Sequence, residues 1–101
     1  MIRHIVAFRL TDPEAAERDA RVRGIHDRLT ALVGVIPGLV GMQVEPDLGE
    51  VAGHWDLVLV SEHESAAALA AYQVHPAHVD ASGWVGQFIA ERAAVDYALP
   101  A

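Results

Sequence analysis

The chain predicts an α+β fold of the ferredoxin-like kind, a βαββαβ run with one four-stranded antiparallel sheet. Three observations lead there. Apolar residues alternate along 2–10, recur at three- and four-residue spacing along 22–36, and occupy both faces of the stretch 54–63. With 101 residues the chain forms a single domain, 1–101, large enough for one modest core.

In the first strand, Ile2, His4, Val6, Phe8 and Leu10 share one face, while Arg3, Ile5, Ala7 and Arg9 share the other. The next segment opens a helix: Asp12 suits the N-cap, Pro13 the first helical position and Glu14 the first turn. Val22, Ile25, Leu29, Leu32, Val33 and Ile36 continue it as one apolar stripe. Arg18, Arg21, Arg23 and Arg28 fall mostly off that stripe and read as a solvated face. Pro37-Gly38 ends the helix, and 39–45 follows as a strand weakened by Gly41.

After the polar turn 46–53, the stretch 54–63 is the strongest strand. Trp55, Leu57 and Leu59 point one way, Val58 and Val60 the other, so both sides need cover. Residues 64–74 are helical by propensity, the helix breaks at Pro76 and resumes through 77–90, and 91–99 is the last strand. Two helices can cover only one sheet face. The other, with Ile5, Ala7, Val58 and Val60, calls for a second copy of the chain. The expected assembly is a homodimer whose sheets face each other, a dimeric α+β barrel.

Composition narrows function. The net charge is −7 and all seven basic residues are arginine, without an arginine run interleaved with aromatics; nucleic acid is not an expected partner. The lack of cysteine removes disulfides, thiolate nucleophiles and cysteine-bound zinc. Residues 1–10 are too short and polar for a signal peptide, and no apolar run reaches membrane-spanning length. A soluble cytoplasmic protein with no membrane partner is expected.

The chemistry concentrates in 70–80, AAYQVHPAHVD. Pro76 pushes His75 out of helical angles and becomes the first residue of a new turn, which sets His78 near a helix N-terminus. There the backbone field disfavours imidazolium, and a neutral His78 can serve as a general base. Tyr72 can donate its hydroxyl to a carbonyl oxygen and stabilise enolate charge. Asp96, if adjacent across the sheet, orients the His78 ring, although its charge favours the protonated form. The equal alternative is that Tyr72, His75 and His78 cap and fill a kinked helix. The spacing of His75 and His78 also invites a metal, but a break lies between them and no further ligand framework is recognisable; no metal and no cofactor are expected. Phe8, Trp55, Leu57 and Trp84 are core residues by type, some walling a cleft for an apolar, carbonyl-bearing ligand together with His26 and His75. His54 and His63 flank the third strand and read as structural or exposed. The glycines of 82–86 match no phosphate-loop spacing.

Together, 1-MIRHIVAFRL-10, 35-VIPGLVGMQVE-45, 54-HWDLVLV-60, 71-AYQVHPAHV-79 and 95-VDY-97 resemble the stress-responsive dimeric α+β barrel family over nearly the whole chain. The Tyr-x-x-His-Pro-x-His segment is the most specific part. The resemblance implies a homodimeric barrel of two ferredoxin-like units. It extends to olivetolic acid cyclase, which closes a polyketide by an intramolecular aldol reaction without metal or organic cofactor. Its functional positions match Tyr72, His78, Asp96 and His4. Leu57 and His26 depart from its pattern and imply a different pocket. Two functions follow as expectations: a cofactor-independent cyclase or enolising enzyme, and a non-catalytic stress-responsive barrel that binds a ligand or serves a structural role. A haem- or quinone-handling monooxygenase fits the motifs less well.

Overall fold

A computed structural model describes residues 1–11 and 14–100. Its elements are β1 (Ile2–Leu10), α1 (Ala15–Thr30), β2 (Leu39–Pro46), β3 (Leu57–His63), α2 (Ala66–Val74), α3 (Pro76–Gly86) and β4 (Ile89–Ala98). The strands form one sheet in the order β2-β3-β1-β4, every pair antiparallel. This is the ferredoxin-like α+β fold, with its second helix divided into α2 and α3.

β1 spans the residues its alternation predicts. His4, Val6, Phe8 and Leu10 are buried on the helix side, and Arg3, Ile5, Ala7 and Arg9 are half-buried on the other. Glu14, in extended conformation, is the N-cap of α1 and makes no side-chain capping bond; it was expected within the helix's first turn. The assignments to Asp12 and Pro13 lie outside the described residues. Val22, Ile25 and Leu29 are buried as their spacing requires. The helix ends at Thr30, whose hydroxyl donates to the His26 carbonyl, and turns follow. Leu32 and Ile36 still reach the core, but Val33 is exposed because helical spacing no longer governs its direction.

β3 starts at Leu57, three residues later than the apolar run suggests. Asp56 is held just before it, its N–H donating to the Phe8 carbonyl and its carboxylate accepting from the Leu10 N–H. Trp55 therefore escapes the strand's alternation. It sits with the Arg9 guanidinium 4.8 Å from its ring centre, beside Ala7 and Val58. At the other end, α3 stops at Gly86 and β4 begins at Ile89, earlier than expected. The Thr11 N–H donates to the Phe88 carbonyl and joins the two chain segments at that point.

The core lies between sheet and helices, where Val6, Leu57, Leu59 and Val44 meet Ile25, Leu29 and Leu69. Each fully buried aliphatic side chain contributes about 1.5–3 kcal/mol. The opposite sheet face has no helix over it. In register, Ile5 lies between Val60 and Val95, and Ala7 between Val58 and Ala93. Charged groups mark its ends: Arg3 pairs with Glu62 at 3.1 Å, and Arg9 with Glu91 at 3.1 Å. Among the described residues no helix is long and apolar enough to cross a membrane.

Candidate functional site

Between the sheet and the helices lies a cavity of about 330 Å³. Its apolar wall includes Val6, Phe8, Leu29, Leu59, Val85 and Ile89, and its polar groups include His4, Tyr72, His78 and Arg92. A few polar groups on an apolar wall are what a small-molecule site requires.

The helix break builds one side of the site. His75 is extended (φ −64°, ψ 135°) and is at once the C-cap of α2 and the N-cap of α3. Its ring Nδ1 accepts from the Ala77 N–H at 3.1 Å, and Pro76 takes the first helical position, where a missing N–H costs nothing. His78 thus enters the first turn of α3. Its Nδ1–H donates to the Gln73 carbonyl at 3.1 Å, across the break, which leaves Nε2 with a free lone pair. Burial is the leading cause that lowers the His78 pKa below the ordinary imidazole value; the Gln73 carbonyl opposes this, and His4 and Arg92 add to it. The helix field proposed from the sequence points the same way, but desolvation leads.

Tyr72 projects from the last turns of α2 and is 1 % exposed. Its ring centre is 4.3 Å from that of His78. Burial pushes its hydroxyl pKa up to about 12, with Arg92 opposing, so it stays protonated and able to donate. The hydroxyl has no hydrogen-bond partner among the described residues.

On the sheet side, His4 of β1 faces Asp96 of β4 in register, and its Nδ1–H donates to the Asp96 carboxylate in a very short contact. Asp96 was expected to orient His78; it orients His4 instead, because the antiparallel register sets those two directly opposite. His4 lines the cavity as a second imidazole with a fixed ring.

Five of the sequence-expected ligand residues lie elsewhere. His75 is occupied as the cap. Leu57 is core beneath the sheet's helix face. Trp55 is outside the cleft, under Arg9. Trp84 packs edge-on against Phe88 at 5.0 Å with Arg28 over it at 4.6 Å, turned away from the cavity. His26 opens onto a separate hollow beside Val44, its Nδ1–H donating to the Asp27 carboxylate at 3.0 Å. The structure does bring together Tyr72, His78, His4, Phe8 and, through His4, Asp96. Among the described residues no group of three or more His, Cys, Asp or Glu gathers where it could hold a metal ion.

Two residues of the site were missed. His63, expected to be structural or exposed, is fully buried with its ring centre 4.7 Å from Tyr72 and 6.3 Å from His4. The signal was present: His63 is two and four residues beyond Ser61 and Leu59, on the same face. Arg92 is the other, opposite Phe8 in β4 and thus on the cavity side.

A family profile described as Stress responsive A/B Barrel Domain matches residues 2–99. No curated protein shows a significant match. Several solved structures are similar. A dimeric ferredoxin-like protein of unknown function from Bacteroides fragilis is 26% identical, with a TM-score of 0.84 over 97% of this chain and 95% of that one. Another, from Thermobifida fusca, is 34% identical, with a TM-score of 0.81 over 97% and 90%. A hydroxynitrile lyase from Passiflora edulis is 16% identical, with a TM-score of 0.75 over 98% and 93%, a likeness of fold.

Proposed function

The chain belongs to the stress responsive A/B barrel domain family, and on that premise we propose that its cavity binds and enolises a small apolar, carbonyl-bearing molecule. His78 is the base and Tyr72 the donor to the developing oxyanion. One observation carries this reading: the Gln73 carbonyl holds the Nδ1 proton of His78, so the lone pair of Nε2 is free on an imidazole whose burial keeps it neutral.

The steps follow from those groups. His78 Nε2 takes a proton from a carbon flanked by carbonyls, and the C–H electron pair moves into the enolate. The charge collects on the carbonyl oxygen, where the un-ionised Tyr72 hydroxyl donates a hydrogen bond. A substrate with a second carbonyl then closes a ring: the enolate carbon attacks that carbonyl carbon, and the new alkoxide takes the proton back from the imidazolium. His4, held by Asp96, supplies another ring nitrogen from the sheet side of the cavity. This is the aldol chemistry of olivetolic acid cyclase, which the chain resembles at Tyr72, His78, Asp96 and His4.

The test is deuterium incorporation into an aliphatic 3-oxo ester in D2O, read by NMR at a pD where uncatalysed exchange is slow. The expected result is catalysed exchange that falls about 100-fold or more in His78→Ala and about 100- to 1,000-fold in Tyr72→Phe, with circular dichroism unchanged. Equal rates in the wild type and His78→Ala remove the base. Binding without any exchange assigns the cavity to a non-catalytic, ligand-binding barrel.

A further inference from the structure

Arg92 has no role in the chemistry above, yet it stands on the cavity wall. Its surroundings set it apart from the other arginines of the sheet. Arg3 is engaged by Glu62 and the Tyr97 hydroxyl, and Arg9 by Glu91 and the Trp55 ring. Glu91, the acid beside Arg92 in sequence, also borders the cavity, but its carboxylate is paired with Arg9 at 3.1 Å. Among the described residues Arg92 itself has no carboxylate partner, in a chain with twice as many acids as Lys and Arg. Its charge is close enough to act on both Tyr72 and His78.

Resting on the enolisation reading, we infer that Arg92 makes the site selective for carbonyl compounds bearing a carboxylate, with medium-chain 3-oxo acids as the fitting class. The guanidinium fork matches a carboxylate in two parallel hydrogen bonds. No other Lys or Arg lines the described cavity, and its one lining carboxylate, Glu91, is paired with Arg9, so a single negative charge is a better complement than a phosphate of higher charge. Val6, Phe8 and Leu59 then receive the alkyl tail, and about 330 Å³ suits a chain of that size. With the acid end on Arg92, the carbon between carboxylate and ketone is directed to the His78 and Tyr72 wall.

The experiment compares 3-oxooctanoate with its methyl ester on the intact protein, by titration calorimetry for affinity and by deuterium exchange for chemistry. In the wild type the acid binds about 10- to 100-fold more tightly than the ester. Arg92→Ala abolishes that preference and leaves ester affinity unchanged, and Arg92→Lys keeps part of it. Equal affinity for acid and ester in the wild type overturns the inference, as does an equal loss for both ligands in Arg92→Ala. Failure of the base reading looks different: the acid binds with its preference intact and does not exchange. Binding of neither probe overturns both.

Discussion

His63 ends β3 with its ring wholly enclosed between His4 and Tyr72. Its Nε2 lies 2.9 Å from the Ser61 hydroxyl, and its Nδ1 is buried with no hydrogen-bond partner. The cheaper tautomer leaves a bare lone pair rather than an orphan N–H, so Nε2–H donates to Ser61. A second proton would be buried without an acceptor, and desolvation, with the His4 charge next, lowers the pKa of this ring. His78 shifts in the same direction. A lowered folded value means that the unfolded chain binds more protons as pH falls through about 6.5, so stability drops from there towards the folded pKa and is fully present above. We expect the melting temperature to decline on acidification below about pH 6.5 and the decline to be shallower in His63→Leu. Parallel melting curves for the two proteins from pH 7.5 to 5 would contradict this.

At the scale of elements, the break between α2 and α3 is what turns a run of alanines into a site. Ser65 caps α2 through the Ala68 N–H at 3.0 Å, His75 caps α3, and the five-residue reach from His78 back to Gln73 fixes the base. α2 in turn is seated against the turn before β2. Gly38 has φ +84°, and a Cβ there would lie 2.7 Å from the Ala68 Cβ. Gly34 has nearly the same backbone, φ +88°, but open space around it. Ala at Gly34 should therefore cost about 1–2 kcal/mol, the left-handed penalty alone. Ala at Gly38 should cost more, because α2 must also shift, and should weaken binding of any ligand that touches Tyr72. Denaturant titration of both variants checks the order; equal losses would show that the Ala68 contact is not felt. Sequence reading found the break, the cap region and the place of His78, since proline acts locally. It misplaced the ends of α1, α3 and β3, which are decided by contacts such as that of Asp56 with β1.

For the molecule as a whole, the unresolved debt is the second sheet face. Ile5, Ala7, Val58 and Val60 remain half-buried, and Val95 is 64% exposed, in a band framed by the Arg3–Glu62 and Arg9–Glu91 pairs. An apolar centre with a charged rim is the anatomy of a protein interface. Solved structures similar to this chain from Bacteroides fragilis and Thermobifida fusca are described as dimeric. We expect the chain to sediment as a dimer at micromolar concentration. Val60→Arg, at the centre of the band, should give a folded monomer with unchanged circular dichroism. A wild-type monomer, or a dimer untouched by that charge, would place the interface elsewhere.

The sequence by itself determined the order of strands and helices, the inward face of β1, the break at Pro76 and the apolar second face, because alternation, helical spacing and proline sterics act between near neighbours in the chain. Tertiary structure decided the partners. Antiparallel register gave Asp96 to His4 rather than to His78. The late start of β3 sent Trp55 to the other side of the sheet, and the pairing of β4 with β1 set Arg92 opposite Phe8, at the cavity. Such choices depend on where strands begin and how they align across tens of residues, and hydrophobic periodicity carries no record of that alignment.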